Sequence, residues 1–556
     1  MQLENVENSP ADVSELLVRC LEEEGVKCVF GIPGEEILTV IEAINHSKIR
    51  FILTRHEQGA AFMADVYGRL TGKAGVCLAT LGPGATNLIT GVADAYSDGA
   101  PLVAITGQVG TDKMHITAHQ YLNLTQIFEP ITKRTKLIVG PETVSEIVRL
   151  AFKYAESERP GATHIDLPVN VAKMAVSPEE RPLKKAPVTK ELATYDSLEK
   201  AAAEIFKSKN PVILAGSSAV RDNASEALTK FAERLKIPVV NTMMAKGIVP
   251  ADSDYAMMTI GIPQKDYANR IVEYADLVIT VGYDIVEYSP SSWNPNKDKK
   301  ILHISSRPPH INKFYQCCAE VVGDMIFSLE GIMMRTERAV EPEQAINIKS
   351  KFLAEQSRYE NDMAFPLKPQ KIISDIRSIL DRDDIVVCDV GAHKMWMARL
   401  YGCYRPNTCI ISNGFATMGI ALPGAIAAKL VHPEKKILAV TGDGGFMMNM
   451  QELEVAVREG ISFVVLIFRD DSYGLIKWKQ FDHYGKNCCV DFTNPDFVKL
   501  AEAMGCKGYR IESAGELPNV LAEAFEQKVP AVIDCPVDYG ENTKLTQTLK
   551  KIYNEL

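Results

Sequence analysis

The chain has 556 residues, of which 46% are apolar and 24% are charged. These fractions exclude a disordered or fibrous protein, and the length is enough for about three or four domains. The net charge of −10 argues against nucleic acid or an anionic membrane as a partner.

Twelve cysteines are present, and no two have the C-x-x-C spacing of a zinc or redox site. The first residues, MQLENVENSPADVSELL, are polar and acidic, whereas a signal peptide needs a basic start and an apolar run. No apolar stretch reaches the roughly 20 residues of a membrane span. We therefore expect a cytoplasmic protein with reduced thiols.

Two segments, 177–190 and 335 to about 366, are predicted to be connectors because they are charged, contain prolines and lack an apolar period. They separate three predicted domains, which span residues 8–176, 191–334 and 366–545.

Each predicted domain alternates short β-branched runs with longer amphipathic stretches, as in strands that feed crossover helices. The strand candidates, with their turns, are VKCVFGIPG and AGVCLATLGPGATN, then NPVILAGSSA, DLVITVGYD and KKILHISS, then DIVVCDVGAH, KILAVTGDGG and FVVLIFRDD. We predict an α/β protein of three open parallel-sheet domains in series. Ligands of such sheets sit at the carboxyl ends of the strands.

The strongest motif is TGDGG at 441–445, directly after the strand candidate KILAV. A helix, FMMNMQELEVAVREG, and a strand, FVVLIF, are predicted to follow, and RDDSYG comes next at 469–474. The glycines let backbone N–H groups approach a diphosphate. Neighbouring parallel strands lie about 4.8 Å apart, so Asp443 and Asp470 could bind one Mg²⁺. Either motif alone is explained equally well by an ordinary turn.

The two motifs at this spacing resemble the signature of thiamine diphosphate enzymes. Segments 55–64 (RHEQGAAFMA), 81–87 (LGPGATN) and 106–109 (TGQV) resemble the pyrimidine-binding domain of acetohydroxyacid synthases and pyruvate oxidases. Segment 414–423 (GFATMGIALP) resembles their cofactor-supporting segment. The resemblance implies the thiamine diphosphate-binding fold for the first and third domains, and a Rossmann-like central domain.

By this resemblance, Glu57 is the catalytic acid that donates to N1′ of the aminopyrimidine, so that N4′ can remove the thiazolium C2 proton. A glutamic acid keeps its proton near neutral pH only in an apolar setting, and the sequel AAFMADVYG favours burial. Met418 matches the residue that bends the cofactor, and Ala416 the carbonyl that accepts from its 4′-amino group. The alternatives are a surface ion pair between Glu57 and Arg55, and plain core packing of Met418.

The remaining residues matched by the resemblance bind the cofactor, its metal ion or the substrate. The cofactor-binding positions are Pro33, Gly34, Asn87, Gly391, Ala392, His393, Gly442, Gly444, Gly445 and Tyr473, and the metal-binding positions are Asp443, Asp470 and Ser472. Gln120 and Lys133 match polar catalytic positions on the substrate side, with plain surface residues as the alternative. His393 has a second explanation, as a core histidine bonded to backbone groups.

Segment 281–294 (VGYDIVEYSPSSWN) lacks the R-F-D-D-R-V-T-G-like stretch of synthases that retain FAD. It resembles the catabolic, FAD-independent acetolactate synthases instead, so we expect thiamine diphosphate and Mg²⁺ as cofactors, and no FAD. The implied reaction decarboxylates pyruvate, a 2-oxo acid, and condenses the product with a second pyruvate to give 2-acetolactate. The alternatives are a non-oxidative 2-oxo-acid decarboxylase or related carboligase, and a catalytically silent regulatory or scaffold homologue, although Glu57 and the GDG motif are intact.

In this family the residues matched by Glu57 and Asp443 act on one cofactor from different chains, which implies a homodimer at least and a homotetramer as the expected assembly. Two departures bear on the site. Asp470 stands where the wider family more often has asparagine, and Glu35 follows Gly34 where related synthases often have a small residue. An inward-facing Glu35 would repel an anionic substrate. Trp478 lies one register from the substrate-selecting tryptophan of anabolic relatives, so it is assigned no role.

Overall fold

The computed structural model describes residues 11–186, 190–262, 265–337 and 340–555, with side chains through 549. Residues 8–10 of the first predicted domain, and 187–189 and 338–339 of the two predicted connectors, lie outside the described residues.

The chain divides into two compact units. The first contains the described residues up to 186 together with Gly414–Pro433 and Asn449–Ile461. The second contains 190–413, Glu434–Met448 and 462–555. Among the described helices, none is both long and apolar enough to cross a membrane.

Three six-stranded parallel sheets form the framework of the described residues, which confirms the predicted α/β class. The first sheet contains β1 Cys28–Gly31, β2 Arg50–Leu53, β3 Gly75–Ala79, β4 Leu102–Gln108, β5 Thr135–Leu137 and β6 Ala162–Pro168. The second contains β7 Pro211–Ala215, β8 Val239–Asn241, β9 Ala256–Thr259, β10 Leu277–Val281, β11 Lys300–Ser305 and β12 Cys317–Val322. The third contains β13 Ile385–Cys388, β14 Cys409–Ile411, β15 Ile437–Gly442, β16 Val464–Arg469, β17 Lys507–Arg510 and β18 Ala531–Pro536. All three sheets lie inside the predicted domain ranges, whose boundaries remain our proposal.

The first and third sheets have the same strand order. It is β2-β1-β3-β4-β6-β5 in the first and β14-β13-β15-β16-β18-β17 in the third. The second sheet has the order β12-β11-β10-β7-β8-β9, which is the Rossmann order when its strands are numbered from one to six. This agrees with the prediction of two domains of one fold around a Rossmann-like centre.

Helices connect the strands. In residues 11–186 they are α1 Val13–Glu24, α2 Leu38–Asn45, α3 Glu57–Thr71, α4 Pro83–Asp98, α5 Leu124–Phe128, α6 Val144–Glu156 and α7 Val169–Ala172. In the central domain they are α8 Tyr195–Lys207, α9 Ser217–Arg221, α10 Ser225–Leu235, α11 Tyr267–Tyr274, α12 Pro290–Trp293 and α13 Met325–Met333. Helix α14, Glu343–Ser357, lies in the second predicted connector. The others are α15 Pro369–Ile379, α16 Ala392–Leu400, α17 Ala421–Val431, α18 Asp443–Asn449, α19 Glu452–Arg458, α20 Gly474–Tyr484, α21 Phe497–Ala503, α22 Leu517–Phe525 and α23 Gly540–Glu555. Short 3₁₀ helices span Glu35–Ile37, Glu129–Ile131, Pro141–Thr143 and Met243–Ala245.

The local sequence explains where elements begin and end. Helix α1 starts after Asp12, whose side chain accepts from the N–H of Glu15 at 2.9 Å. It ends at Gly25, in the left-handed conformation that favours glycine. In β4, Val103 and Ile105 face the core formed with α1, α2 and α6. All residues of β4 are buried, as expected for a parallel strand covered on both faces.

The prediction of one helix through FMMNMQELEVAVREG is wrong. Helix α18 begins at Asp443 and ends at Asn449, and α19 begins at Glu452. Asn449 explains the interruption, because its Nδ2 donates to the carbonyl oxygen of Gly419 at 3.0 Å and to Gln58 Oε1 at 3.2 Å. These bonds tie the chain at 449 to other elements of the first unit, and the following turn starts a new helix.

Candidate active site

Glu57 is the first residue of α3, directly after the turn that follows β2. Asn87 on α4 donates through Nδ2 to Glu57 Oε2 at 2.9 Å. Two residues that sequence analysis assigned to the cofactor are therefore in contact. In the single chain Glu57 is half-buried, so its expected full burial is not reached there.

A residue that sequence analysis missed, Glu452, lies beneath this turn. It is 0% exposed, and Oε1 accepts from the N–H of His56 at 3.0 Å. The N–H of Arg55 lies 3.3 Å from each carboxylate oxygen. Burial raises the pKa of Glu452 to about 7, and the bonds from Arg55 and His56 act in the opposite direction. The one signal in the sequence was an acid directly before the apolar Leu453 in a predicted helix.

Pro33 and Gly34 follow the end of β1. A Cβ added at Gly34 would lie 2.4 Å from Cβ of Thr80, so only glycine fits there. Glu35 is exposed. Its neighbour Glu36 instead accepts a hydrogen bond from the hydroxyl of Thr80 at 2.6 Å through Oε2. In the single chain, the acid held against the sheet is therefore Glu36 and not Glu35.

Gln120 lies in a mostly exposed segment between β4 and α5, with its backbone at φ 55°. It packs closely against Gly82, because a Cβ added there would lie 2.9 Å from Cβ of Gln120. A non-glycine residue in the left-handed region stores backbone strain, which is frequent at functional sites. The structure brings Gln120 to the start of α4, the helix that carries Asn87.

Lys133 is bonded to backbone groups near the start of β6. Its Nζ donates to the carbonyl oxygens of Ser157 at 2.8 Å and Arg159 at 2.6 Å. Its own N–H donates to the carbonyl oxygen of Ala162 at 2.8 Å. Glu57, in contrast, follows the end of β2, and in a parallel sheet the start of one strand and the end of another lie at opposite edges. The contacts of Lys133 therefore do not bear on a substrate role, which stays a prediction.

The segment with Ala416 and Met418 is tied to the end of α4. Gly414 donates through its N–H to Asp98 Oδ1 at 2.5 Å. Asp98 is buried and lies 2.9 Å from Nη2 of Arg69, which compensates its charge. Ala416 has φ 58°, a strained conformation for a residue with a side chain, and it is exposed. Met418 is half-buried, so core packing does not account for its whole side chain.

In the second unit, Gly391 precedes α16 after β13, and Ala392 and His393 are the first two residues of that helix. His393 is 2% exposed, and its Nε2 has no hydrogen-bond partner among the described residues. Burial lowers the pKa of His393 to about 3, so its ring is neutral. A Cβ added at Gly391 would lie 2.6 Å from Cε1 of His393, and one at Gly442 would lie 3.3 Å from it. The two glycines leave room for this ring at the carboxyl ends of β13 and β15.

Gly444 and Gly445 lie in the first turn of α18, where backbone N–H groups have no carbonyl partner within the helix. The N–H of Gly444 donates to Asp443 Oδ1 at 2.9 Å. A Cβ at Gly444 would lie 2.9 Å from the ring of Tyr473. A Cβ at Gly445 would lie 2.9 Å from Oδ2 of Asp389, a buried acid that sequence analysis missed although it ends a predicted strand. The turn at Gly444 and Gly445, which we call the cradle, therefore exposes backbone and has no room for larger side chains at these two positions. An unpartnered histidine nitrogen beside such a cradle fits a bound diphosphate.

Asp443 and Asp470 directly follow the adjacent strands β15 and β16. Asp443 Oδ2 accepts from the N–H groups of Asp470 at 3.2 Å and Asp471 at 2.7 Å. Ser472 donates through its hydroxyl to Asp470 Oδ2 at 2.7 Å. Burial raises the pKa of Asp470 to about 7, and the charge of Asp443 adds to this effect. Burial also raises the pKa of Asp443.

A buried carboxylate beside a half-buried one is costly without a cation, and the two fit a hard cation such as Mg²⁺. Within the part of the chain that the structure describes, no group of three or more His, Cys, Asp or Glu side chains could hold a metal ion. The acid pair would therefore need further ligands, which backbone carbonyls, water and a diphosphate can supply.

A cleft of about 610 Å³ opens beside Asp470 at the carboxyl end of β16. Trp478 on α20 lines it and is buried, with Nε1 donating to the Thr546 hydroxyl at 2.9 Å. Its indole is thus held by α23. The cleft is large enough for a small organic acid.

Comparison with known proteins places these features in a family. Thiamine pyrophosphate enzyme families match the chain in three places: the N-terminal TPP binding domain at residues 11–127, the central domain at 198–332 and the C-terminal TPP binding domain at 389–535. The "Acetolactate synthase" of Bacillus subtilis (strain 168) is 37% identical, over 98% of this chain and 96% of the relative.

Two further relatives are similar to the same extent. The "Acetolactate synthase, catabolic" of Raoultella terrigena is 36% identical, over 96% of this chain and 96% of its own. The "Probable acetolactate synthase large subunit" of Methanococcus aeolicus is 35% identical, over 97% of this chain and 94% of its own. Similarity of this extent along nearly the whole chain shows that the protein belongs to the acetolactate synthase family of thiamine pyrophosphate enzymes.

Proposed function

We propose that this chain is an acetolactate synthase, which converts two molecules of pyruvate into 2-acetolactate and CO₂. The observation that carries the proposal is the contact between Glu57 and Asn87 at the start of α3, in a chain of this family. The acid pair Asp443 and Asp470 supports it from the second unit.

Thiamine diphosphate, when bound, supplies a carbanion that attacks the 2-oxo acid and an electron sink for decarboxylation. The residues proposed to hold its diphosphate are Gly391, Ala392, His393, Gly442, Gly444, Gly445 and Tyr473. The unpartnered Nε2 of His393 supports this assignment, because a neutral imidazole can donate a hydrogen bond to a phosphate oxygen. The Mg²⁺ would be held by Asp443, Asp470 and Ser472, with the acid pair as supporting observation.

Glu57 is proposed to hold the proton that activates the cofactor. Its Oε2 accepts from Asn87, so Oε1 is the atom assigned to carry and transfer the proton. Ala416 and Met418 would support the pyrimidine ring, and Pro33 and Gly34 would line its edge. Gln120 and Lys133 would contact the substrate. The strained backbone at Ala416 and Gln120 is what supports a functional role for these two positions.

We also propose that the enzyme contains no FAD. An open α/β sheet binds its ligand where the strand order reverses, which in the central domain is the crevice between β7 and β10. The carboxylate of Glu287 is buried at this edge, and Oε1 accepts from both the N–H and the hydroxyl of Ser217 at 2.9 Å. A Cβ at Gly216 would lie 2.5 Å from Cα of Tyr283. A side chain of the protein itself thus fills the crevice, which supports the proposal.

The proposed assembly is a homodimer at least, with a homotetramer expected, as the family resemblance implies. A cytoplasmic location is supported by the cysteines, all twelve of which are free thiols, as in a reducing compartment. The net charge of −10 supports the absence of a nucleic-acid or anionic-membrane partner.

The proposed function is tested by incubating the protein with pyruvate alone, thiamine diphosphate and Mg²⁺, without FAD. We expect 2-acetolactate as the product. Glu57→Gln should keep the fold and lower the rate at least about 100-fold, because it removes a general acid. Thermal unfolding with and without the cofactor and Mg²⁺ checks that the variant still binds them.

Each alternative has its own outcome in these assays. Acetaldehyde as the main product would replace the synthase with a decarboxylase. A melting temperature that the cofactor and Mg²⁺ do not raise would indicate a silent homologue. Substantial activity of the folded Glu57→Gln protein would refute the role of Glu57, and a need for added FAD would refute its absence.

A further inference from the structure

The turn between β2 and α3 sets the direction in which the Glu57 side chain leaves the backbone. Its first residue, Thr54, donates through its N–H to the carbonyl oxygen of Gly31 at 3.0 Å, which ties the turn to β1. The His56 ring accepts from the N–H of Gln58 at 3.0 Å and caps the helix. The N–H groups of Arg55 and His56 both donate to one side chain, that of Glu452.

Glu452 is fully buried, so its carboxylate has exchanged water for protein partners. A buried carboxylate is tolerated when hydrogen bonds replace its hydration, and here the two backbone N–H groups of the turn do so. Bonds from N–H groups to a carboxylate are about twice as strong as bonds between neutral groups. The position of the turn therefore depends on the position of the Glu452 carboxylate.

Gly59, in the first turn of α3, shows how closely the helix approaches this carboxylate. A Cβ added at Gly59 would lie 2.7 Å from Oε1 of Glu452, so a side chain there would displace this carboxylate. The carboxylate thus contacts both the turn before Glu57 and the helical turn after it.

We infer that Glu452 is a positioning residue of the reaction, which holds the backbone at 55–56 so that Glu57 presents its carboxyl group to Asn87. Asn87 fixes the carboxyl end of the Glu57 side chain, and Glu452 fixes the backbone from which it extends. The inference rests on the proton-holding role proposed for Glu57. It adds Glu452 as the residue that orients Glu57.

The main test is Glu452→Leu, which removes the hydrogen-bond acceptor and replaces it with an apolar side chain of similar size. We expect kcat to fall about 10- to 100-fold, since a misplacement of about 1 Å at a catalytic group has effects of this size. The KM for pyruvate should change less than about twofold, because the substrate contacts are untouched. In the cofactor-free protein, hydrogen exchange at the amides of Arg55 and His56 should become faster.

The matched control is Glu454→Gln on the same helix. Glu454 lies 3.7 Å from Nε of Arg55 in a partly exposed ion pair, so it touches the same residue without holding its backbone. This variant should retain kcat and the exchange rates of the wild type.

Two milder variants decide the question if Glu452→Leu does not fold. Glu452→Gln keeps an oxygen acceptor, so it should recover most of the kcat. Gly59→Ala keeps the Glu452 side chain, but the added Cβ pushes its carboxylate away from the turn. This variant should therefore lower kcat and speed hydrogen exchange at the amides of 55–56.

An unchanged kcat in folded Glu452→Leu would overturn the inference. So would a loss of kcat without faster exchange at Arg55 and His56, because Glu452 would then act by another route. If the wild type forms no acetolactate, the proposed function fails, but the exchange measurement still tests how Glu452 holds the turn.

Discussion

Asn494 connects the acidic residues at the proposed metal site. Its Nδ2 donates to Asp443 Oδ2 at 2.9 Å and to Asp471 Oδ1 at 2.8 Å. These bonds orient Asp443 while its other contacts come from backbone N–H groups. A partner that orients a metal ligand contributes to affinity although it does not touch the metal.

Asn494→Ala should therefore weaken Mg²⁺-dependent cofactor binding about 10- to 100-fold, the usual effect of losing such a partner. The measurement is a titration with thiamine diphosphate at several Mg²⁺ concentrations, with the metal removed by a chelator as the zero point. Asn519→Ala, at an exposed position of α22, is the matched control and should bind as the wild type does. Equal Mg²⁺ dependence in both variants would refute the role of Asn494 in orienting Asp443.

At the scale of single residues, sequence analysis finds groups that belong to local motifs. Glu57, Asn87 and Asp443 each stand in a short, recognisable segment, and the structure joins Glu57 with Asn87, a contact that the segments alone did not predict. Glu452 was missed because its partners Arg55 and His56 lie almost 400 residues away in the chain, at a separation of 396 for His56. No local pattern encodes such a contact, since only the folded chain brings the two segments together.

At the scale of elements, the segment that carries Gln120 depends on one buried side chain at the end of β4. Gln108 donates through Nε2 to the carbonyl oxygen of Leu122 at 3.0 Å and to Asp166 Oδ2 at 3.1 Å. Its Oε1 accepts from the N–H of Val109 at 2.9 Å. One amide thus ties the end of the segment to β6.

Gln108→Met keeps the volume of the side chain but removes these bonds. We expect a cost of about 1–3 kcal/mol in the free energy of unfolding, because the buried Asp166 loses a donor. Trypsin should cleave at the exposed Lys113 roughly tenfold faster, which corresponds to about 1.4 kcal/mol of local stability. The KM for pyruvate should rise if Gln120 contacts the substrate.

Gln126→Met, on the exposed face of α5, serves as the control for this change and should show neither effect. Faster cleavage with an unchanged KM would separate the two claims. It would keep the anchoring role of Gln108 and contradict the substrate role of Gln120.

The elements differ in how well they could be predicted. Strands β10 and β16 consist mostly of buried Val, Ile, Leu and Phe, with Thr280 in β10 and Arg469 at the end of β16, so their composition alone reveals them. Strands β5, β8 and β14 have three residues each, too few for any period to be visible. The break between α18 and α19 was missed for a related reason. It depends on the bonds of Asn449 to Gly419 and Gln58, which the helical pattern does not contain.

At the scale of the whole molecule, the first and third sheets share one strand order, although their sequences have only a common style of strand, glycine turn and helix. Glu57, the proposed catalytic acid, follows a strand of the first of these sheets, and Asp443 and Asp470 follow strands of the third. Each sheet therefore presents a different part of the proposed cofactor site at its carboxyl edge. A symmetric dimer offers a way to use both, because each chain can supply one half of each site.

Mixing two inactive variants tests whether the two halves come from different chains. Glu57→Gln and Asp443→Asn should each be folded and nearly inactive alone. If one site uses Glu57 of one subunit and Asp443 of the other, random pairing of equal amounts gives an intact site in about one case in four. Co-expressed in equal amounts, the two variants should then show about a quarter of the wild-type activity, in a dimer or a tetramer.

Glu57→Gln mixed with Glu57→Ala is the control and should stay inactive, since no pairing restores the acid. A mixture no more active than its parts would mean that both residues act within one chain.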